Sequence, residues 1–179
     1  MKERFARFSS FWIFPLLSIV LLITGHRVEP LKPVSRLFWL LPVGLASWTL
    51  LEYIFHRIFL HKVALVSESH RLHHLDPRNG ALILVPPVYA LLISAGLFGI
   101  LLLSIRSLFD VAGITTGIWL GFLYYETVHY RVHMSLANSR LLQHHRRAHF
   151  YHHFSHVDRC FGVTSSIWDR ILGTGRKSQ

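Results

Sequence analysis

The sequence predicts an all-α integral membrane protein, and three observations support that class. Hydrophobic residues make up 51% of the 179-residue chain, and its mean hydropathy is positive. Four apolar segments are each long enough to cross a bilayer as a helix, which requires about 20 residues. One of them, residues 81–104, contains no charged residue at all.

The four predicted spans are about 8–25, 37–55, 81–104 and 111–128, within a single domain that covers residues 1–179. The first span follows the basic start KERFAR but has no A-x-A-like cleavage site. We therefore interpret it as a retained anchor and not as a signal peptide. The third span contains Pro86-Pro87, which predicts a kink in its helix.

The distribution of cations predicts the orientation in the membrane. With the N-terminus inside, fifteen of the 19 Lys and Arg residues lie on the inner side and four on the outer side. The positive-inside rule then puts both termini in the cytoplasm. The net charge of +10 indicates a basic face against anionic headgroups, not nucleic-acid binding. The lone Cys160 excludes an internal disulfide and is predicted to be a structural thiol.

Ten of the fourteen histidines form a pair and a triad, and this arrangement occurs twice. They are His56, His61, His70, His73, His74, His129, His133, His149, His152 and His153. Residues spaced i, i+3 and i+4 share one face of an α-helix, so each H-x-x-H-H triad converges, as does the pair His129 and His133. His56 and His61 are separated by about 140° beyond a full turn. We expect the helix to end or distort between those two residues.

All ten patterned histidines are predicted to lie on the cytoplasmic side, at the ends of the second and fourth spans and just after them. Imidazoles without thiolates suit zinc, copper, iron and nickel. One metal ion takes at most about six ligands, so the set predicts two metals or more. A pair of iron ions can activate dioxygen and attack an unactivated C–H bond, which side chains alone do not do. The spacing leaves open which histidines serve which metal.

Two acids lie close to these histidines in sequence. Glu52 precedes His56 by four residues, and Glu126 precedes His129 by three. A ligating histidine normally donates its second N–H to a carboxylate or a carbonyl, which fixes its orientation. We expect both glutamates to orient ligands in this way; the alternative is a solvent-exposed acid at the end of a span.

Other residues near the spans are predicted to have anchoring, supporting or loop roles. His26 is expected to be an interface anchor. Three further histidines either support the ligands or lie on the surface: His144, His145 and His156. Interface anchoring is also predicted for Trp12, Trp39 and Trp168. The tyrosines close enough to contact a substrate are Tyr53, Tyr124, Tyr125 and Tyr130. Loop roles are predicted for Asp76 and Asp158.

The ordered pattern H-x-x-x-x-H, H-x-x-H-H, H-x-x-x-H, H-x-x-H-H resembles the fatty acid hydroxylase and sterol desaturase superfamily. The segments EYIFHRIFLH (52–61) and FGVTSSIWDRILGT (161–174) are also similar, and the resemblance covers about residues 40–174. Within the superfamily it is greatest for the catalytic domain of fatty acid 2-hydroxylases. It implies that the ten histidines bind two iron ions, which zinc can replace on purification, in a cytosolic helical cap on four transmembrane helices. The implied reaction uses dioxygen to hydroxylate a membrane fatty acyl chain at C2.

The resemblance also implies a separate electron donor, because eukaryotic members often carry a cytochrome b5 domain that this sequence lacks. We expect a carrier of the ferredoxin or cytochrome b5 type. Its predicted docking residues, which could equally anchor the chain to lipid, are Arg146, Arg147, Arg159, Arg170, Arg176 and Lys177. The sequence shows no lysine-based retrieval signal, which favours a bacterial inner membrane.

Two alternatives stay open at this level. A sterol or carotenoid oxygenase would share the metal site but would need a wider cavity for a ring system. A histidine-rich metal transporter is disfavoured, because transporters place their ligands at mid-membrane on broken helices. No inverted repeat is visible in the sequence.

Overall fold

The computed structural model describes residues 8–136 and 139–177, and all regular secondary structure in that part of the chain is helical. The α-helices are α1 Ser10–Val28, α2 Leu37–Ile54, α3 Ala64–Leu75, α4 Gly80–Ile83, α5 Pro87–Ile105, α6 Leu108–Met134, α7 Arg140–Phe154 and α8 Ile167–Ile171. A 3₁₀ turn, Val34–Arg36, precedes α2, and a π-helix, Phe55–Leu60, follows it. The all-α prediction is confirmed. The basic start KERFAR lies outside the described residues.

Within residues 8–136 and 139–177, four helical segments are long and apolar enough to cross a membrane, as predicted. They are Ser10–Val28, Val34–Leu60, Gly80–Ile105 and Leu108–Met134. The second and fourth extend beyond the predicted ends at 55 and 128, because the turns that carry histidines continue as helix. The protein is therefore an integral membrane protein whose second and fourth spans lead directly into the histidine-rich segments.

The third span is broken, where the sequence predicted only a kink. Helix α4 ends at Ile83 and α5 begins at Pro87, with extended backbone at Leu84 and Pro86. A residue that precedes proline is pushed out of the helical region by the proline ring. Two successive prolines therefore separate the helices, and Pro87 occupies the first position of α5, where its missing N–H costs nothing.

The chain divides into two compact units. One comprises Met1–Trp48 with Val85–Leu123, and the other comprises Thr49–Leu84 with Tyr124–Gln179. Helices α2 and α6 contribute residues to both units. All ten patterned histidines and both predicted glutamates belong to the second unit. The single-domain organisation of residues 1–179 stays a prediction.

Glycines allow α2 and α6 to approach closely in the first unit. The α6 segment GITTGIWLG (113–121) has a glycine at every fourth position, on one face of the helix. A Cβ atom on Gly117 would lie 2.3 Å from the carbonyl oxygen of Leu41, and one on Gly44 would lie 2.0 Å from that of Ile114. Small residues drive helix association in lipid, where burial of apolar surface gives little net gain. These glycines therefore set the helix spacing.

An ionic cluster closes the loop between α1 and α2 against the start of α6, also in the first unit. The Asp110 carboxylate accepts hydrogen bonds from Lys32 Nζ at 2.7 Å and from Arg36 at 2.9 and 3.0 Å. Glu29 accepts from the Ser107 hydroxyl at 2.8 Å. Acids near a helix N-terminus are also stabilised by the helix dipole. Two of the four cations that are predicted to lie on the outer side are thus paired.

Replacing Gly117 with alanine should destabilise the protein, because the added methyl group would overlap the backbone of α2. Overpacking of this kind costs about 1–3 kcal/mol, so we expect a lower thermal transition in detergent, measured by loss of the monodisperse peak after heating. The matched control is Gly99→Ala in α5, where a Cβ atom would meet nothing within 4 Å. Equal transitions for the two variants would contradict the assigned role of Gly117.

Candidate metal centre

The first histidine pair spans the π-helix Phe55–Leu60: His56 lies within it, and His61 follows its last residue. A π-helix has i→i+5 hydrogen bonds, so its turn is wider than that of an α-helix. Residues five apart, which diverge on an α-helix, then point to the same side. The rings of His56 and His61 are stacked with their centroids 5.2 Å apart. The predicted distortion between these two histidines is confirmed.

The other eight patterned histidines are carried by α3, the end of α6, and α7. Helix α7 begins at a Ser139 cap, whose side chain accepts from the N–H of Leu142 at 3.2 Å. The guanidinium of Arg146 donates to the carbonyls of Val132 at 3.1 Å and Ser135 at 2.7 Å. This contact fastens α7 to the end of α6. Arg146, predicted to dock a carrier, is thus engaged within the protein.

The ten predicted histidines gather into two groups of five, and within each group the potential ligand nitrogens all lie within 4.8 Å of one another. The first cluster contains His56, His61, His70, His74 and His152. The second cluster contains His73, His129, His133, His149 and His153. Each cluster could hold one metal ion.

Each H-x-x-H-H triad is divided between the two clusters. The first and third histidines, at i and i+4, join the pair from their own half of the sequence. The middle histidine, at i+3, crosses to the other cluster: His73 of α3 enters the second cluster, and His152 of α7 enters the first. Helices α3 and α7 therefore each contribute to both clusters. The sequence had left this partition open.

The spacing of the nitrogen atoms fits metal coordination. In the first cluster, Nε2 of His70 lies 3.1 Å from Nε2 of His56 and 3.2 Å from Nε2 of His61. In the second, the Nε2 atoms of His133 and His149 are 2.8 Å apart. Two nitrogens bound at right angles, each about 2.1 Å from one ion, would be about 3 Å apart. The all-imidazole donor set suits zinc, iron, copper or nickel.

The cluster histidines outside the spans are neutral near pH 7. Burial, reinforced by the neighbouring imidazoles, lowers the pKa of His73 and of His152 to about 3, and that of His74 to about 4. Burial also holds the pKa of His70 and of His149 well below the usual value. A neutral imidazole keeps the lone pair that a metal needs. These side chains are therefore ready to act as ligands.

Two ligand candidates of the first cluster are oriented by backbone carbonyls. Nδ1 of His56 donates to the carbonyl of Phe161 at 2.6 Å, and Nδ1 of His152 donates to that of Arg159 at 2.8 Å. Because a carbonyl can only accept, the proton is on Nδ1 and the lone pair is on Nε2. Such a bond fixes the tautomer and the ring direction of a metal ligand.

Both predicted glutamates are buried. The Glu52 carboxylate accepts hydrogen bonds from the N–H groups of Val163 and Thr164 and from the Thr164 hydroxyl. These donors belong to the C-terminal segment that carries the Phe161 carbonyl. Glu126 is fully buried on α6. The predicted action of either glutamate on a histidine stays a prediction.

The remaining histidine candidates differ in exposure. His144 and His156 are exposed, and His156 lies 3.9 Å from Asp158. His145 is partly buried and makes a hydrogen bond with the backbone of Val163, although burial still lowers its pKa. His26, in the first unit, packs against Phe109 with ring centroids 5.9 Å apart. The side chain of His145 thus contacts the C-terminal segment.

The aromatic candidates also occupy different environments. The Tyr125 ring is buried and stacks on His129 at 5.4 Å. Tyr53 is buried, with its hydroxyl hydrogen-bonded to Thr174. Trp12 and Trp39 are 73% and 70% exposed, as interface anchors would be. The third predicted anchor, Trp168, donates its indole N–H to the Thr49 hydroxyl at 3.0 Å.

The first cluster has an open side. A cleft of about 290 Å³ is lined by Leu60, His61, Ser67, His70, Arg71, His74 and Val157. His61 and His74 are only partly buried, whereas all five members of the second cluster are buried. Small molecules in solution can therefore approach the first cluster more readily than the second.

Comparison with known proteins places this geometry in a family. A family model described as fatty acid hydroxylase matches residues 41–174. The chain belongs to the fatty acid hydroxylase family. It is 32% identical over 138 residues to the dihydroceramide fatty acyl 2-hydroxylase FAH2 of Arabidopsis thaliana, covering 73% of this chain and 58% of that protein. Over 153 residues it is 30% identical to the fatty acid 2-hydroxylase of Rattus norvegicus, covering 79% of this chain and 41% of that protein.

A solved structure shares the fold of this family member. The hydroxylase domain of full-length scs7p superposes with a TM-score of 0.77 and 22% sequence identity, covering 93% of this chain and 66% of that one. At that identity the similarity shows the fold alone. The chain spans only part of these relatives, namely 58% of the length of FAH2 and 41% of the length of the rat enzyme.

One buried acid was not among the site residues predicted from the sequence. Asp169 is 2% exposed and accepts hydrogen bonds from the N–H groups of Phe161 and Gly162. The available signal was that Asp169 is the only acid in the segment FGVTSSIWDRILGT. An acid that is buried has to find backbone or side-chain donors.

Alanine replacements should distinguish the histidines that bind metal from those that do not. We expect His152→Ala to lower metal binding at the first cluster, and His73→Ala or His133→Ala to lower it at the second, each toward one metal per chain. His26→Ala and His144→Ala, outside both clusters, should keep the full metal content. Elemental analysis of the purified, monodisperse proteins measures this. Full metal content in two of the three cluster variants would contradict the ligand assignment.

Proposed function

We propose that this protein is an oxygen-dependent lipid hydroxylase that inserts a hydroxyl group at C2 of a fatty acyl chain. The observation that carries the proposal is the pair of five-histidine clusters in a member of the fatty acid hydroxylase family. Relatives named as dihydroceramide fatty acyl 2-hydroxylase and fatty acid 2-hydroxylase support an acyl substrate and position C2. They favour it over a sterol or a carotenoid.

The proposed cofactor is a pair of iron ions, one in each cluster, which zinc can replace on purification. Bound together, two irons would supply the redox chemistry that activates dioxygen toward a C–H bond. One oxygen atom enters the substrate, and the other leaves as water. The balance requires two electrons and two protons from outside the substrate. A separate donor of the ferredoxin or cytochrome b5 type is therefore part of the proposal.

The protein's own contribution is to hold the cluster imidazoles in place and to keep those outside the spans neutral. Burial lowers the pKa of the cluster histidines outside the spans, to about 3 for His73 and His152. These rings therefore stay unprotonated near pH 7 and can bind a cation. The carbonyls of Phe161 and Arg159 fix two ring orientations. Tyr125, stacked on His129, excludes water from one side of that ring.

The proposed location of the site is the cytoplasmic face of a bacterial inner membrane. The excess of cations in the segments at that end of the spans supports this orientation. There the acyl chain can remain among the helices while its polar end lies at the headgroups. Exposed Arg147, Arg176 and Lys177 are suitable to dock an acidic carrier. Arg159 is less suitable, because it donates to the carbonyls of Gly173 and Gly175.

Position C2 can be tested with labelled lipid. Cells that express the protein and are fed a fatty acid deuterated at C2 should form a product that has lost one deuterium and gained one oxygen atom. Mass spectrometry of acyl chains released from total membrane lipid measures both changes. The His73→Ala variant is the inactive control. A product that retains both deuterium atoms would place the hydroxyl elsewhere, and an oxidised sterol or carotenoid would replace the acyl assignment.

The need for a donor can be tested with purified, iron-loaded protein. After chemical pre-reduction, we expect about one turnover with oxygen and substrate, because no reductant then remains to reduce the site again. An acidic carrier with its reductase should restore cycling. The rate should fall as salt rises, since exposed charges attract over about 10 Å at 0.1 M ionic strength.

The charge variant Arg147→Glu should slow carrier-dependent cycling at low salt and leave the pre-reduced single turnover unchanged. Sustained turnover without any reductant would rule out a monooxygenation. A carrier rate that does not depend on salt would remove the docking surface and leave the proposed reaction intact.

A further inference from the structure

Residues 159–164, here called the strap, are held by two buried carboxylates in the second unit. The N–H groups of Phe161 and Gly162 donate to Asp169 at 3.0 and 2.8 Å. The next two N–H groups along the chain, those of Val163 and Thr164, donate to Glu52. Four consecutive backbone donors are thus bound by carboxylates, although the strap has no regular secondary structure.

The strap in turn supplies the acceptors for two histidines of the first cluster. The Phe161 carbonyl accepts from Nδ1 of His56, and the Arg159 carbonyl accepts from Nδ1 of His152. A backbone carbonyl can orient a ring only as well as its own peptide is fixed. The carboxylates that bind the strap N–H groups therefore act indirectly on the histidine rings, through the strap carbonyls.

Asp169 is itself fixed by a directed chain of hydrogen bonds. The Thr174 hydroxyl donates its proton to Asp169 at 2.7 Å, so the Tyr53 hydroxyl must donate to Thr174, 3.0 Å away. The Tyr53 oxygen then accepts from the guanidinium of Arg57 at 2.6 Å. The chain begins at a cation and ends at a carboxylate, and both kinds of charged bond are stronger than neutral ones.

Glycine at position 162 allows the strap to lie close to Asp169. A Cβ atom there would lie 1.9 Å from the carbonyl oxygen of Ser165 and 3.0 Å from Oδ2 of Asp169. Any side chain would therefore push the strap away from the carboxylate. Cys160 holds the other end, with its N–H donating to the Thr174 carbonyl at 2.8 Å.

We propose that Asp169, together with Glu52, is a positioning residue for the first metal cluster only, acting through the strap carbonyls on His56 and His152. The inference rests on the metal assignment within the proposed function. It does not depend on the reaction. No strap carbonyl accepts from a described histidine of the second cluster, so the effect should be confined to one of the two sites.

The test is a zinc titration of the metal-free, full-length protein in detergent, with a competing chelator. The wild-type chain should bind two zinc ions tightly. In Asp169→Asn, one binding step should weaken about 10- to 100-fold, the range expected when a supporting partner of a metal ligand is lost. The other step should keep its affinity. Combining Asp169→Asn with His133→Ala, which retains an intact first cluster, should still show the weakening.

The matched control is Asp158→Asn, because Asp158 is exposed and lies next to the strap. It should titrate like the wild type. Gly117→Ala serves as a second control, since it should lower stability without weakening one zinc step selectively. Equal weakening of both steps by Asp169→Asn, or no weakening of either, would overturn the inference.

If Asp169→Asn does not yield monodisperse protein, the Thr174 variants decide the question. Thr174→Val removes the hydroxyl that links Tyr53 to Asp169, and Thr174→Ser restores it. We expect selective weakening of one zinc step in the first variant and recovery in the second. Wild-type affinities in Thr174→Val would overturn the inference. Since no turnover is measured, an absence of hydroxylation would count against the proposed function alone.

Discussion

The structure of the second unit depends on gathering buried imidazole nitrogens at close range. Nitrogen lone pairs about 3 Å apart repel one another unless a metal cation or a shared proton lies between them, and full protonation would place like charges in contact. A metal ion bound in each cluster would relieve this repulsion, and its binding free energy would then contribute to folding. The surrounding structure has to hold the rings in place against this repulsion. The π-helix, the divided triads and the strap each contribute to that restraint.

The two clusters are coupled mechanically, because His73 of α3 belongs to the second cluster and His152 of α7 belongs to the first. Helix α3 carries ligand candidates for both, and so does α7. A shift of either helix would change the geometry at two sites at once, so the sites share one framework. Their surroundings nevertheless differ. The first cluster borders an open cleft and is supported by strap carbonyls, while the second is enclosed by buried residues.

The first unit is stabilised by different interactions. Apolar burial gives little gain between helices in lipid, so close contact at Gly44 and Gly117 takes its place. Charges near the ends of the spans are paired, as Asp110 is with Lys32 and Arg36. Helix α5 leaves most of its apolar surface exposed, with 6% of its span window buried, against 72% for α6. A lipid environment accounts for that exposure, because exposed apolar side chains need no protein partner there.

The sequence by itself determined the all-α membrane class, the four spans, the set of ten histidines and the distortion between His56 and His61. Each of these follows from composition or from the period of a single helix, which is local information. The partition of His73 and His152, the break at Pro86-Pro87 and the role of Arg146 within the fold were decided by the tertiary structure. So was the bond from Glu52 to Val163, which joins positions 111 residues apart. Backbone N–H and carbonyl groups are present at nearly every residue, so no sequence pattern marks the ones that fold against a carboxylate or an imidazole.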